Sequence, residues 1–121
     1  MRRLLIALSV LPLLGAAALA DSDPAADYQK ADKALNQAFR QIEHRMADDA
    51  SGKAQLVKAQ KAWIAFRDAE CSFQSSAVDG GSATPLVIAS CKATLTADRV
   101  KQLDHYLNCE EGDLSCPVPR Q

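Results

Sequence analysis

Apolar residues recur along this chain at alternating steps of three and four, in three separate stretches. The first runs through Tyr28, Ala31, Leu35, Phe39 (with Ala38), Ile42 and Met46. That spacing puts one apolar seam on a helix, as in a coiled coil. Asp23-Pro24 opens the stretch as an N-cap followed by proline at the first helical position. Asp48-Asp49-Ala50-Ser51-Gly52 interrupts it. A second stripe of the same period then passes through Leu56, Ala59, Trp63, Phe66, Glu70, Phe73 and Ala77.

Folding the two stretches antiparallel about Ala50–Ser51 pairs Met46 with Leu56, Ile42 with Ala59, Phe39 with Trp63, Leu35 with Phe66 and Tyr28 with Phe73. Every rung is apolar on both sides, so the sequence predicts a helical hairpin whose aromatics form the core. Val78 to Ala83 is the next break. Thr84-Pro85 starts a third helix in the cap-then-proline manner, with Ile88, Cys91, Leu95, Val100, Leu103, Tyr106 and Leu107 on a broader stripe. The expectation is an all-α fold of three long antiparallel helices, about 24–48, 53–77 and 85–107, within a helical core of about 24–108. Residues 109–121, with Pro117 and Pro119, read as an irregular tail.

Cys71 and Cys91 lie ten residues either side of Gly81. Folding about that glycine sets them level on neighbouring helices, where a disulfide fits. Cys109 and Cys116 then close a small loop in the tail. The compartment this requires is oxidising, and the first residues supply it. Met1-Arg2-Arg3 is positive, Leu4 to Leu14 is apolar, and Ala18-Leu19-Ala20 is a small-x-small cleavage site, the pattern of a secretory signal peptide over 1–20. The apolar run is too short to span a bilayer. No cysteine follows the cleavage point, so neither a membrane span nor a lipid anchor is expected. Residues 21–121 make one domain's worth of chain. They keep all 15 acids and 12 of the 14 bases, a formal charge of −3. No clustered basic face points to nucleic acid.

Candidate chemistry is sparse, and neither an enzyme nor a cofactor is expected. His44 and His105 stand alone, without metalloprotease spacing. His105, Cys109 and Cys116 can be drawn as zinc ligands, but they lack paired short cysteine spacing, and an oxidising compartment favours the disulfide. Ser82 follows two glycines with no strand before it, so a nucleophile elbow does not apply. The polar cluster that stands out is Trp63, Arg67, Asp68 and Glu70, facing Arg99. Glu70 on a seam position would be costly to bury unpaired, so the cluster reads as an inter-helix ion network, or else as a patch recognising a partner's charges. Arg99, level with Trp63, is expected to stack on the indole or pair with a carboxylate.

These residues also carry a resemblance. Asp27-Tyr28, Ala31-Asp32, Leu35-Asn36 and Phe39 come first, followed by Ala59-Gln60-Lys61-Ala62-Trp63-Ile64 and Phe66-Arg67-Asp68 up to Cys71. Gly80-Gly81-Ser82, Cys91, Leu95-Thr96, Arg99 and Leu103 complete the set. In order and spacing they resemble the LprI-type lysozyme inhibitor family of secreted bacterial proteins. The resemblance covers nearly all of residues 27–103. It implies a helical, disulfide-bonded fold and a non-enzymatic protein-binding role, with a lysozyme as the partner and the periplasm or exterior as the location. Many relatives have further cysteines near the start of the mature region. This chain has none before Cys71 and carries Cys109 and Cys116 instead.

Blocking a lysozyme needs only a rigid shape that fills a cleft. The loop Asp79-Gly80-Gly81-Ser82 is the candidate for that contact, because glycine allows close backbone approach; the plain alternative is a simple turn. The competing function is a structural or envelope-stress protein that binds another cell-envelope component through its acidic face.

Overall fold

The computed structural model describes residues 22–121, so the leader read over residues 1–20 lies outside the described residues. Asp23 Oδ1 accepts the Ala25 N–H at 3.0 Å and Pro24 fills the first helical position, which starts helix α1, Pro24–Arg45. The turn that follows is closed by Asp49, whose carboxylate accepts the Gly52 N–H at 2.8 Å and so starts helix α2, Ala50–Ser75. Glycine at 52 leaves room for that cap. A Cβ would meet the Met46 methyl carbon at 2.6 Å and collide with the capping carboxylate itself. A single 3₁₀ turn, Ser76–Val78, extends α2 before helix α3, Thr84–Leu107. All regular structure among the described residues is helical, and none of these helices is long and apolar enough to cross a membrane.

The helices run up, down and up, so α1 and α3 lie parallel. Arg45, at the end of α1, reaches the Leu107 carbonyl at the end of α3. The closest helix pair is α1 with α3; α2 lies nearer to α3 than to α1. The core is Leu35, Ala38, Ile42 and Met46 of α1 with Leu103 of α3 and Val118 of the tail. Phe39, Leu56, Trp63, Val100, Tyr106 and Leu107 pack around it. The tail therefore returns to the bundle and seats Val118, 6% exposed, against the other core residues.

The inner face of α2 differs from the expected one. Gln60, Arg67, Cys71 and Ser75 are its buried residues. Ala59 and Ala77 are exposed, and Phe66 and Phe73 are 55% and 73% exposed. The rungs Leu35–Phe66, Tyr28–Phe73 and Ile42–Ala59 are thus not core pairs, whereas the partners of Met46–Leu56 and Phe39–Trp63 belong to one cluster. The rotation has a physical cause. The Cys71 sulfur must meet Cys91 on α3, which turns positions one helical turn away, 67 and 75, inward as well. On α3 the deepest positions are Cys91, Thr96 and Leu103, with the Thr96 hydroxyl fully buried.

Candidate functional site

Arg67 is the centre of the polar network. Its side chain is 8% exposed, and its guanidinium carbon lies 5.3 Å from the Trp63 ring centroid and 5.5 Å from that of Tyr28. Two aromatic faces, from α1 and α2, therefore solvate a cation that the bundle has largely removed from water. Neighbouring helical residues do not face each other, yet the long Arg67 side chain doubles back. Its Nε donates to Asp68 Oδ1 at 2.9 Å, and Nη2 lies 2.9 Å from the same oxygen. Lys92 of α3 approaches that oxygen at 3.5 Å and sits 5.8 Å from the Tyr28 ring. Desolvation would raise the Asp68 pKa, but the hydrogen bond and charge of Arg67, joined by Lys92, outweigh it and hold the carboxyl below its ordinary 3.8.

Arg99 forms a second layer. Its guanidinium carbon is 6.0 Å from the Trp63 centroid, on the outer edge of stacking range. Nε donates to Gln60 Oε1 at 3.1 Å and Nη1 to Gln102 Oε1 at 2.8 Å. Burial lowers its pKa, opposed by Tyr106. Glu70 stands apart from both layers, and among the described residues it accepts only from Gln74 Nε2, at 3.1 Å one turn on. Trp63, Arg67, Asp68 and Arg99 are thus brought together, and Glu70 is not. Tyr28 and Gln60 are members that sequence reasoning missed, and Lys92, level with Glu70 by sequence, approaches Asp68 instead. The helical face of Cys71 was the signal, since it carries 60, 63 and 67 inward together.

The bundle end beyond α2 is clamped. The Cys71–Cys91 disulfide, with Cα atoms 5.5 Å apart, joins α2 to α3, and Cys71 is fully buried. Above it the loop Asp79–Ser82 is held from within. The Val78 carbonyl accepts the Gly81 N–H at 3.0 Å and also the Thr84 hydroxyl. Gly80 turns the chain with φ 74°, a conformation L side chains rarely adopt. The N–H groups of Gly80, Ser82 and Ala83 donate to no acceptor among the described residues, and Asp79 to Ala83 are all exposed. Exposed Phe73 and Leu86 flank the same end.

At the opposite end, the Cys109–Cys116 disulfide closes the tail, its Cα atoms 6.1 Å apart. His105 and Asp113 lie beside it, 3.7 Å apart at Nε2 and Oδ2. Hydrogen bonds from the Ser115 hydroxyl and N–H lower the Asp113 pKa, with a smaller contribution from His105. Both sulfurs being bonded, the group offers no thiolate. His44 is exposed on α1.

These features define a disulfide-clamped three-helix scaffold with a rigid exposed loop at one end. The family model described as "Lysozyme inhibitor LprI" matches residues 20–103, and the chain belongs to that family. It is also similar to an uncharacterized protein of Rhizobium meliloti (strain 1021), 32% identical over 97 residues that cover 71% of this chain and 70% of the relative. No solved structure matches it.

Proposed function

We infer that this protein is an exported inhibitor of lysozyme, carried to the periplasm or exterior by its leader, and that it acts by occupying the enzyme's cleft without chemistry of its own. Family membership carries the reading, because the matched region spans α1, α2 and most of α3, with the Cys71–Cys91 clamp and the Asp79–Ser82 loop. The loop suits the task. Glycoside hydrolases work with a pair of carboxyl groups in an open cleft. Three unpaired N–H donors and the Ser82 hydroxyl on a narrow, preformed tip match such acceptors, and a tip already ordered loses little entropy on binding. Phe73 and Leu86 supply apolar anchors beside it, of the kind that dominate protein interfaces.

The test mixes purified protein with a panel of animal and bacterial lysozymes, following cell-wall lysis and direct binding. Inhibition of at least one lysozyme is expected, lost in Ser82→Trp and Gly80→Val and kept in a variant altered at the far end of the bundle, such as His44→Ala. Because the mature charge is −3, association with a basic lysozyme should weaken as screening shortens from about 10 Å at 0.1 M salt to about 3 Å at 1 M. Absence of binding to any member at tens of micromolar would reject inhibition and favour a role in binding another envelope component.

A further inference from the structure

The last turn of α3 and the tail bring four donor groups to one place: His105, Cys109, Asp113 and Cys116. One ligand atom each from His105, Cys109 and Asp113 lies within 4.8 Å of the other two, and the Cys116 sulfur is bonded to that of Cys109. With the bridge intact, only the imidazole and the carboxylate are available, too few for a closed site.

We propose that opening the Cys109–Cys116 bridge turns the tail into a tetrahedral zinc site, with both thiolates, His105 Nε2 and Asp113 Oδ2 as ligands. A covalent clip is thereby exchanged for a metal clip. Zinc bonds of about 2.0–2.3 Å set neighbouring ligand atoms roughly 3.3–3.8 Å apart, and the 3.7 Å between Nε2 and Oδ2 already meets this. The sulfurs have only to part to about 3.8 Å, within a tail whose residues 110–112, 114 and 115 are exposed and free to adjust. The reaction balances in two steps. A dithiol reductant gives two electrons and two protons to the bridge, leaving two thiols and becoming a disulfide itself. Zinc then displaces both thiol protons to solvent, while the neutral imidazole and the ionised carboxylate complete the shell.

Three observations support the assignment. Cys71 and Cys91 are 0% and 7% exposed, whereas Cys109 and Cys116 are only partly buried, so a dithiol reaches the tail bridge first. The Cys109 sulfur lies 3.3 and 3.5 Å from the His105 and Tyr106 carbonyl oxygens, at the negative end of α3, where a cation is favoured. Ser115 occupies Asp113 Oδ1 with two hydrogen bonds, 2.9 and 2.6 Å, which fixes the carboxylate and leaves Oδ2 toward His105. Cys116 stands two residues before the buried Val118, so either clip keeps the tail seated on the core. The assignment is independent of the lysozyme reading.

The test treats the purified protein with a dithiol under native conditions, maps the opened thiols by alkylation and mass spectrometry, and removes the reductant without air. Cobalt and then zinc are added against a chromophoric chelator. Opening of Cys109 and Cys116 alone is expected, followed by binding of one metal per chain, with tetrahedral cobalt bands and thiolate charge transfer. The oxidised protein should bind at least about 100-fold more weakly, and His105→Ala or Asp113→Asn should each weaken binding by about tenfold or more. Paired Cys109→Ser and Cys116→Ser, helical by circular dichroism, should not bind. Earlier opening of Cys71–Cys91, equal binding by the oxidised protein, absence of tetrahedral cobalt bands, or wild-type affinity in the His105 and Asp113 variants would each overturn the assignment.

Discussion

Arg45 donates a 2.7 Å hydrogen bond to the Leu107 carbonyl, 62 residues away in sequence. One helix thus caps the end of another, supplying a cation where unpaired carbonyls and the helix dipole call for one. Arg45→Ala removes a charged hydrogen bond at a part-buried site, and a loss of about 1–2 kcal/mol is expected. Thermal unfolding checks it, since about 1 kcal/mol corresponds to roughly 4–8 °C in a domain of this size. A melting temperature unchanged in Arg45→Ala would show that water caps α3 equally well.

Arg67 and Arg99 both approach Trp63, but unequally. Arg67 sits between two rings and is 7% exposed, while Arg99 lies at the edge of one ring and leans on Gln60 and Gln102. Replacing a planar guanidinium by an ammonium keeps charge and loses stacking. Arg67→Lys should therefore destabilise by about 2 kcal/mol and Arg99→Lys by about 1 kcal/mol or less. Chemical denaturation of the pair reads the order, and equal effects would contradict it.

Thr96 is fully buried, and its hydroxyl has no hydrogen-bond partner among the described residues. Thr96→Val keeps shape and removes an unsatisfied polar atom, so it should raise stability by about 1 kcal/mol. Destabilisation in the same denaturation assay would show that the hydroxyl is bonded in solution.

Asp68 sets an acid limit. Its folded pKa lies below the ordinary 3.8, so folding is favoured by its ionisation. That contribution is complete above the unfolded pKa and is lost as pH falls below 3.8 through the folded value. Asp68→Asn should be less stable than wild type at neutral pH, and the gap should close in that acid range. A gap that stays constant down to pH 2 would show that the carboxylate is unpaired in solution.

Periodicity and the Asp23-Pro24 cap made the helices legible, and each observed boundary falls within about three residues of its expected place. Thr84, expected to cap α3, instead lies in its first turn and turns its hydroxyl back to the Val78 carbonyl. The symmetry of Cys71 and Cys91 about Gly81 likewise marked the α2–α3 clamp. The rotation of α2 was harder, because its inward line is Gln60, Trp63, Arg67, Cys71 and Ser75, a mixture that hydrophobicity alone ranks below Phe66 and Phe73. An arginine that buries its stem between Tyr28 and Trp63 defeats a binary pattern. The return of Val118 was not legible either, since a lone valine between Pro117 and Pro119 carries no period.

The pairing of α1 with α3 also decides when the chain can fold. A fragment ending before Thr84 holds two of the three helices but neither Leu103 nor Val118, so Leu35, Ile42 and Met46 have only the partly buried Phe39, Leu56 and Trp63 to pack against. Most of a helix's stability in a protein comes from packing its apolar face rather than from propensity, and here the face of α1 is completed by α3 and the tail. Because Leu103 and Val118 lie near the C-terminus, the core is complete only once nearly the whole chain has been made, and a chain that closes this late is expected to remain extended enough to be threaded through a narrow pore.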